Sequence, residues 1–188
     1  VRIANDNEPE LRVGYLKSFG TTEFLQTVAE FSKSYPEVKI KINNGTHEQL
    51  YDWLREEKID LAFSDQRRAP SNEYVNDFLT ESGLMVAVSQ TGEFSHAEQI
   101  DVADLADFPC ILITDSKQQL AEETYYQEIL GVKGGFRLVA NYDVAQMLIA
   151  ANQGYLIVNQ RTQTLLDSGI IQTVPLHNGG HELTQKYY

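Results

Sequence analysis

Tyr35-Pro36-Glu37-Val38-Lys39-Ile40-Lys41-Ile42-Asn43-Asn44-Gly45-Thr46-His47-Glu48-Gln49-Leu50, followed by Ile59-Asp60-Leu61-Ala62-Phe63, reads as strand, turn, capped helix and strand. Val38, Ile40 and Ile42 alternate with Lys39, Lys41 and Asn43, the period of a half-buried strand. Gly45 permits a sharp backbone turn, and Thr46 with Gln49 forms a capping box for the next helix. Leu50, Trp53 and Leu54 give that helix its apolar stripe. Ile59–Phe63 is a short apolar run suited to a buried parallel strand. In such a unit the loop from strand C-terminus to helix N-terminus is where α/β proteins bind ligands.

The same alternation extends both ways. Leu11–Gly14 reads as a first strand. Thr21 or Ser18 caps a helix carrying Phe24, Leu25, Val28 and Phe31, which Pro36 stops. Asp65–Asn76 is a polar loop and Tyr74–Glu81 an extended stretch. Strands are expected at Leu84–Ser89, Cys110–Thr114, Phe136–Ala140, Tyr155–Val158 and Ile170–Val174. Between them lie a helical turn at Val102–Leu105 capped by Asp101, a helix at Gln118–Leu130 introduced by Asp115-Ser116, a helix opened by Asn141 or Tyr142, and a short helix at Gln160–Leu166. His177–His181 reads as a loop. Strands alternating with helices define an α/β protein with mostly parallel sheets. The pattern divides into two halves, one set of strands and helices over residues 11–86 and a second over residues 90–174. A two-lobed α/β protein places its ligand site in the cleft between lobes.

The 188 residues carry 27 acidic against 15 basic side chains, so the chain does not grip nucleic acid through its own field. Solubility accounts for the acidity. The single cysteine, Cys110, lies in an apolar run and reads as a small buried hydrophobe rather than a nucleophile. No run reaches transmembrane length. A native start implies a cytoplasmic protein; a start produced by cleavage leaves a removed signal open.

No catalytic signature stands out, and neither a metal nor a cofactor is expected. His177 and His181 are separated by Gly179-Gly180, which argues against a helical metal pair. What does recur is a polar residue where a strand meets a helix: Lys17-Ser18-Phe19, Thr46, Ser64-Asp65, Thr114-Asp115-Ser116, Asn141-Tyr142 and Asn159. Each alone is a helix cap. Converging on one cleft, their hydroxyls, amides and free helix N–H groups would bind a small polar or anionic molecule.

The chain resembles the effector-binding domain of LysR-type transcriptional regulators. The resemblance rests on Leu11-Arg12-Val13-Gly14, Phe31–Val38, Gly45-Thr46 with Leu50 and Leu54, and Ile59–Phe63. It continues through Asp104–Ile111, Ile149–Val158 and Gly169-Ile170-Ile171 to Pro175-Leu176. It implies a type 2 periplasmic-binding-protein fold, with two Rossmann-like subdomains joined by crossover strands and a small-molecule effector bound between them. It places Lys17, Ser18 and Phe19 on the first effector loop, Thr46 on a recurrent hydroxyl position, and Asp65, Thr114, Asp115 and Ser116 on the cleft. It implies a homodimer or homotetramer, and DNA contact only through an N-terminal helix-turn-helix absent from this chain. Asn152 stands where the family commonly has Gly, and Asn159 where it commonly has Pro. Tyr187-Tyr188 falls short of the family's final strand and helix. A transporter's solute-binding protein shares the fold; an enzyme on it would need an acid–base pair that the strand-end loops lack.

Overall fold

A computed structural model of the chain describes residues 2–3, 9–16, 22–67, 69–114, 116–160 and 169–188. Two compact units emerge, Val1–Thr80 with Lys186–Tyr188, and Glu81–Gln185, so the chain passes between them twice.

The first unit is built on β2 (Pro9–Leu16), which extends past Leu11–Gly14 at both ends. It pairs in parallel with β3 (Lys39–Gly45) and β4 (Leu61–Phe63), and antiparallel with β1 (Arg2–Ile3). Two helices cross over between the parallel strands, α1 (Thr22–Ser34) and α2 (His47–Arg55). Leu16, Leu50, Ile59 and Tyr187 form the core, with Trp53, Leu54, Ala62 and Phe63 packed against it. Burying a leucine such as Leu50 contributes about 2 kcal/mol.

Several expectations for this unit need correcting. β3 is not half-buried along its length, because it lies at the sheet edge: Ile40 is half-buried, but Ile42 is exposed. β4 is a three-residue strand, and Leu61 faces outward. On α1 the inward stripe is Phe24, Val28 and Phe31, while Leu25 lies outside it and is exposed. Ser18 and Thr21, the expected caps of α1, lie outside the described residues. The stretch after the polar loop joins the next strand at Thr80, and Val75 within it is almost wholly exposed. Gly45 is needed for room: a Cβ there would meet the Trp53 ring at 3.0 Å.

The second unit contains β5 (Thr80–Ser89), which begins at the unit boundary, β6 (Ile100–Asp101), a 3₁₀ turn (Val102–Leu105), β7 (Cys110–Ile113) and α3 (Gln119–Glu128). It continues through β8 (Phe136–Val139), α4 (Tyr142–Ala150), β9 (Leu156–Asn159), β10 (Ile171–Asn178) and β11 (His181–Glu182). β12 (Thr184–Tyr187) then leads back to the first unit. β7 is parallel to β8 and bridges β9 in parallel at Cys110 and Tyr155. The long β5 runs antiparallel to both β9 and β10, an exception to the mostly parallel sheets. Its side chains divide by the strand period of two: Leu84, Val86 and Val88 enter one cluster with Leu105, Leu112 and Leu176, and Met85 and Ala87 enter the other with Ile111, Ala145 and Ile149. Both faces are therefore covered, which is why the strand reads as an unbroken apolar run.

Asp101 caps the 3₁₀ turn, accepting from Ala103 N at 3.0 Å. Ser116 does not cap α3; Gln118 holds that position and makes no side-chain capping hydrogen bond. Residues 177–181 are not a loop, since β10 and β11 form a hairpin through Gly179-Gly180, whose φ values of +60° and +79° suit a two-residue turn. Asn152 adopts φ +55°, which asparagine tolerates. Cys110 is fully buried, and burial pushes its thiol up, out of reach of thiolate chemistry. The expected helix at 160–166 lies, beyond Gln160, outside the described residues. Among the described residues no helix is long and apolar enough to cross a membrane.

Candidate ligand-binding site

Strand register determines which residues share an edge. In the first unit Leu16 is opposite Gly45 and Tyr15 is opposite Phe63, so Thr46 and Ser64-Asp65 leave the sheet together at its carboxyl edge. In the second unit Ile113 is opposite Val139, and Cys110 bridges Tyr155. Thr114, Asn141-Tyr142 and Asn159 therefore lie at the carboxyl edge of β7, β8 and β9. Ser116 is farther along the loop and exposed. Lys17, Ser18, Phe19 and Asp115 lie outside the described residues.

Thr46 caps α2 through a complete capping box. Its hydroxyl accepts from Gln49 N at 3.3 Å, and Gln49 Oε1 accepts from Thr46 N at 3.0 Å. Thr46→Val keeps the shape but removes the acceptor, so it is expected to destabilise the chain by about 1 kcal/mol. Thr46→Ser is expected to restore that loss, read as the midpoint of urea unfolding. Asn141 similarly caps α4, its Oδ1 accepting from Val144 N at 3.1 Å. Burial raises the Tyr142 phenol, so it stays protonated and can donate.

Two residues that sequence reading passed over complete the first edge. His47, the first residue of α2, contacts Asp65 Oδ1 through Nε2. Arg67 Nε donates to Asp65 Oδ2 at 3.1 Å and lies 3.2 Å from His47 Nε2. Burial alone would push the Asp65 carboxyl up, but Arg67 and His47 together outweigh it and hold the group below its ordinary range. Asp65 is thus an ionised, internally neutralised carboxylate, with only 8% of its side chain exposed. Its backbone bridges Tyr187, which fixes the segment after β4. The only sequence signal for this cluster was Asp65-x-Arg67 directly after a strand, with a histidine opening the neighbouring helix. Among the described residues no group of three or more His, Cys, Asp or Glu side chains is placed to hold a metal ion.

Each of the two α/β units presents polar residues on a carboxyl edge. Residues 4–188 match the family described as the LysR substrate binding domain, and the chain belongs to that family. It is 20% identical over 183 residues to the uncharacterized HTH-type transcriptional regulator YoaU of Bacillus subtilis (strain 168), covering 94% of this chain and 55% of that protein. The chain spans about half the length of the curated relatives it matches. The fold matches the BenM effector binding domain with its effector benzoate at a TM-score of 0.75, with 20% identity over 96% of this chain and 82% of that one. It also matches the effector binding domain of QuiR in complex with shikimate at a TM-score of 0.70, with 19% identity over 96% and 86%. The fold is thus the type 2 periplasmic-binding-protein arrangement. Membership in this family decides against the transporter and enzyme readings, since its members serve transcription regulators.

Proposed function

We propose that this chain is the sensing part of a LysR-type transcriptional regulator and binds a small polar or anionic effector through the carboxyl-edge residues Thr46, Ser64, Asp65, Thr114, Asn141, Tyr142 and Asn159. Lys17, Ser18, Phe19, Asp115 and Ser116 complete the proposed set. The observation that carries this reading is the register that brings strand-end polar residues to one edge in each unit. The ligands named for the similar domains, benzoate and shikimate, are small carboxylates and support the effector class.

Binding would act by differential affinity for two states of the longer protein, which contacts DNA through its N-terminal part in the cytoplasm. Copies would pair: Leu25 on α1, Ile42 on β3, and Val144 and Met147 on α4 present exposed apolar surface. The test is a footprint of the longer protein on its DNA site, with and without effector. The wild-type footprint is expected to change, and that of Thr46→Val to stay the same in both conditions. An effector-insensitive wild-type footprint would sink the proposal.

A further inference from the structure

His47 Nε2 faces two groups with opposite demands. Asp65 Oδ1 can only accept a hydrogen bond from it, whereas Arg67 Nε, 3.2 Å away, can only donate one. A ring nitrogen cannot do both at once. The guanidinium Nε carries a single hydrogen, and Nε also lies 3.1 Å from its other acceptor, Asp65 Oδ2.

We propose that His47 is a proton-governed fork at the carboxyl edge of the first unit, exchanging its partner between Asp65 and Arg67. With the ring doubly protonated, Nε2–H donates to Asp65 Oδ1 and Arg67 Nε–H turns to Asp65 Oδ2. With the ring neutral and its hydrogen on Nδ1, Nε2 accepts from Arg67 and the bond to Oδ1 is lost. The trio carries no net charge in the neutral state and a single positive charge in the protonated one. Because Thr46 immediately precedes His47, the edge would favour an anion when the ring is charged; that consequence rests on the effector reading above, and the fork itself does not.

Geometry limits the competing influences. The side chains of His47 and Arg67 keep only 14% and 18% of their surface exposed, so solvent weakly screens the trio. Among the described residues, the other titratable groups on the surrounding elements are Glu48 and Tyr51 on α2, Tyr15 on β2, Lys186 and Tyr187 on β12, and Tyr188, whose backbone bonds to Ser64. Asp52 and Arg55 pair with each other farther along α2. Glu10, Arg12, Lys39 and Lys41 lie toward the opposite end of the sheet.

The test is nitrogen NMR of the whole chain with ¹⁵N-labelled histidine rings, His47→Gln assigning the signal among the four histidines. Above its titration midpoint the His47 ring is expected to carry its hydrogen on Nδ1. Asp65→Asn is expected to lower that midpoint by about 1 pH unit and Arg67→Gln to raise it by a similar amount. A neutral ring with its hydrogen on Nε2, or a midpoint that neither substitution moves, would overturn the fork. The wild-type tautomer is read without Asp65→Asn or Arg67→Gln. All these signals are read without effector, so their failure and a failure to bind effector are separate results.

Discussion

Gly154→Ala is expected to destabilise the chain by about 3 kcal/mol or more, combining backbone strain with overpacking. Gly154 has φ +152°, which L side chains rarely adopt, and it is buried. A Cβ there would meet the Pro109 carbonyl oxygen at 2.7 Å and Ile111 Cγ1 at 3.0 Å. The carbonyl cannot withdraw freely, because it accepts from Tyr155 N at 3.1 Å, next to the bond from Ile111 N to Tyr155 O at 2.7 Å. These bonds hold β7 to β9. The added methyl therefore either separates the two strands or compresses them, and Ile111 and Tyr155, both in the core, move with it. Gly135→Ala provides the control: nothing lies within 4 Å of its added Cβ, so its unfolding free energy should stay within about 0.5 kcal/mol of wild type. Equal urea midpoints for the two variants would refute this account of the β7–β9 contact.

The second large effect belongs to Arg12→Leu. Arg12 binds Asp60 through Nε at 3.1 Å and Nη2 at 2.7 Å, and its Nη1 donates to the Glu57 carbonyl at 2.6 Å. One side chain thus ties β2 to the turn between α2 and β4. The leucine leaves Asp60 with the Arg12 backbone N–H as its remaining donor from that position. Losing one partner of a buried pair costs about 3–5 kcal/mol. The pair is only partly buried, with 19% and 15% of the side chains exposed, so about 2–3 kcal/mol is expected. The pH dependence provides an independent check. The hydrogen bonds from the Arg12 side chain hold the Asp60 carboxyl below its ordinary range against the upward push of burial. A depressed carboxylate contributes stability above its unfolded value, about pH 3.9, and loses it as pH falls through the folded value. The gap between wild type and Arg12→Leu should therefore narrow as the pH drops below about 4. A gap that is constant from pH 7 to pH 3 would assign the loss to packing instead.

Legibility in the sequence followed locality. The Thr46–Gln49 capping box, the Asp101 cap and the buried run from Leu84 to Ser89 are set by neighbours a few residues away, and each forms as read. What escaped depends on distant pairing. Whether Ile42 is covered turns on β3 being an edge strand, and the antiparallel course of β5 turns on its β9 and β10 partners. β12 is four residues long and its first three residues are polar, with Gln185 buried among them, so its return to the first unit, with Tyr188 N donating to Ser64 O at 3.0 Å, left little trace in the apolar periodicity. The hairpin at Gly179-Gly180 was the one local signal missed; two glycines between short polar arms suit a tight turn. Of the proposed site, Thr46 was readable as a cap, but its neighbours His47 and Arg67 meet Asp65 only through the fold.

The measurement that tests the effector reading most directly is equilibrium dialysis of the chain against the small-molecule fraction of a cell extract, read by mass spectrometry. Wild type and Thr46→Ser are expected to retain the same compound, and Thr46→Val to hold at least tenfold less, about 1.4 kcal/mol. Retention of no compound by wild type, or equal retention by Thr46→Val, would contradict the assignment of the Thr46 edge to an effector.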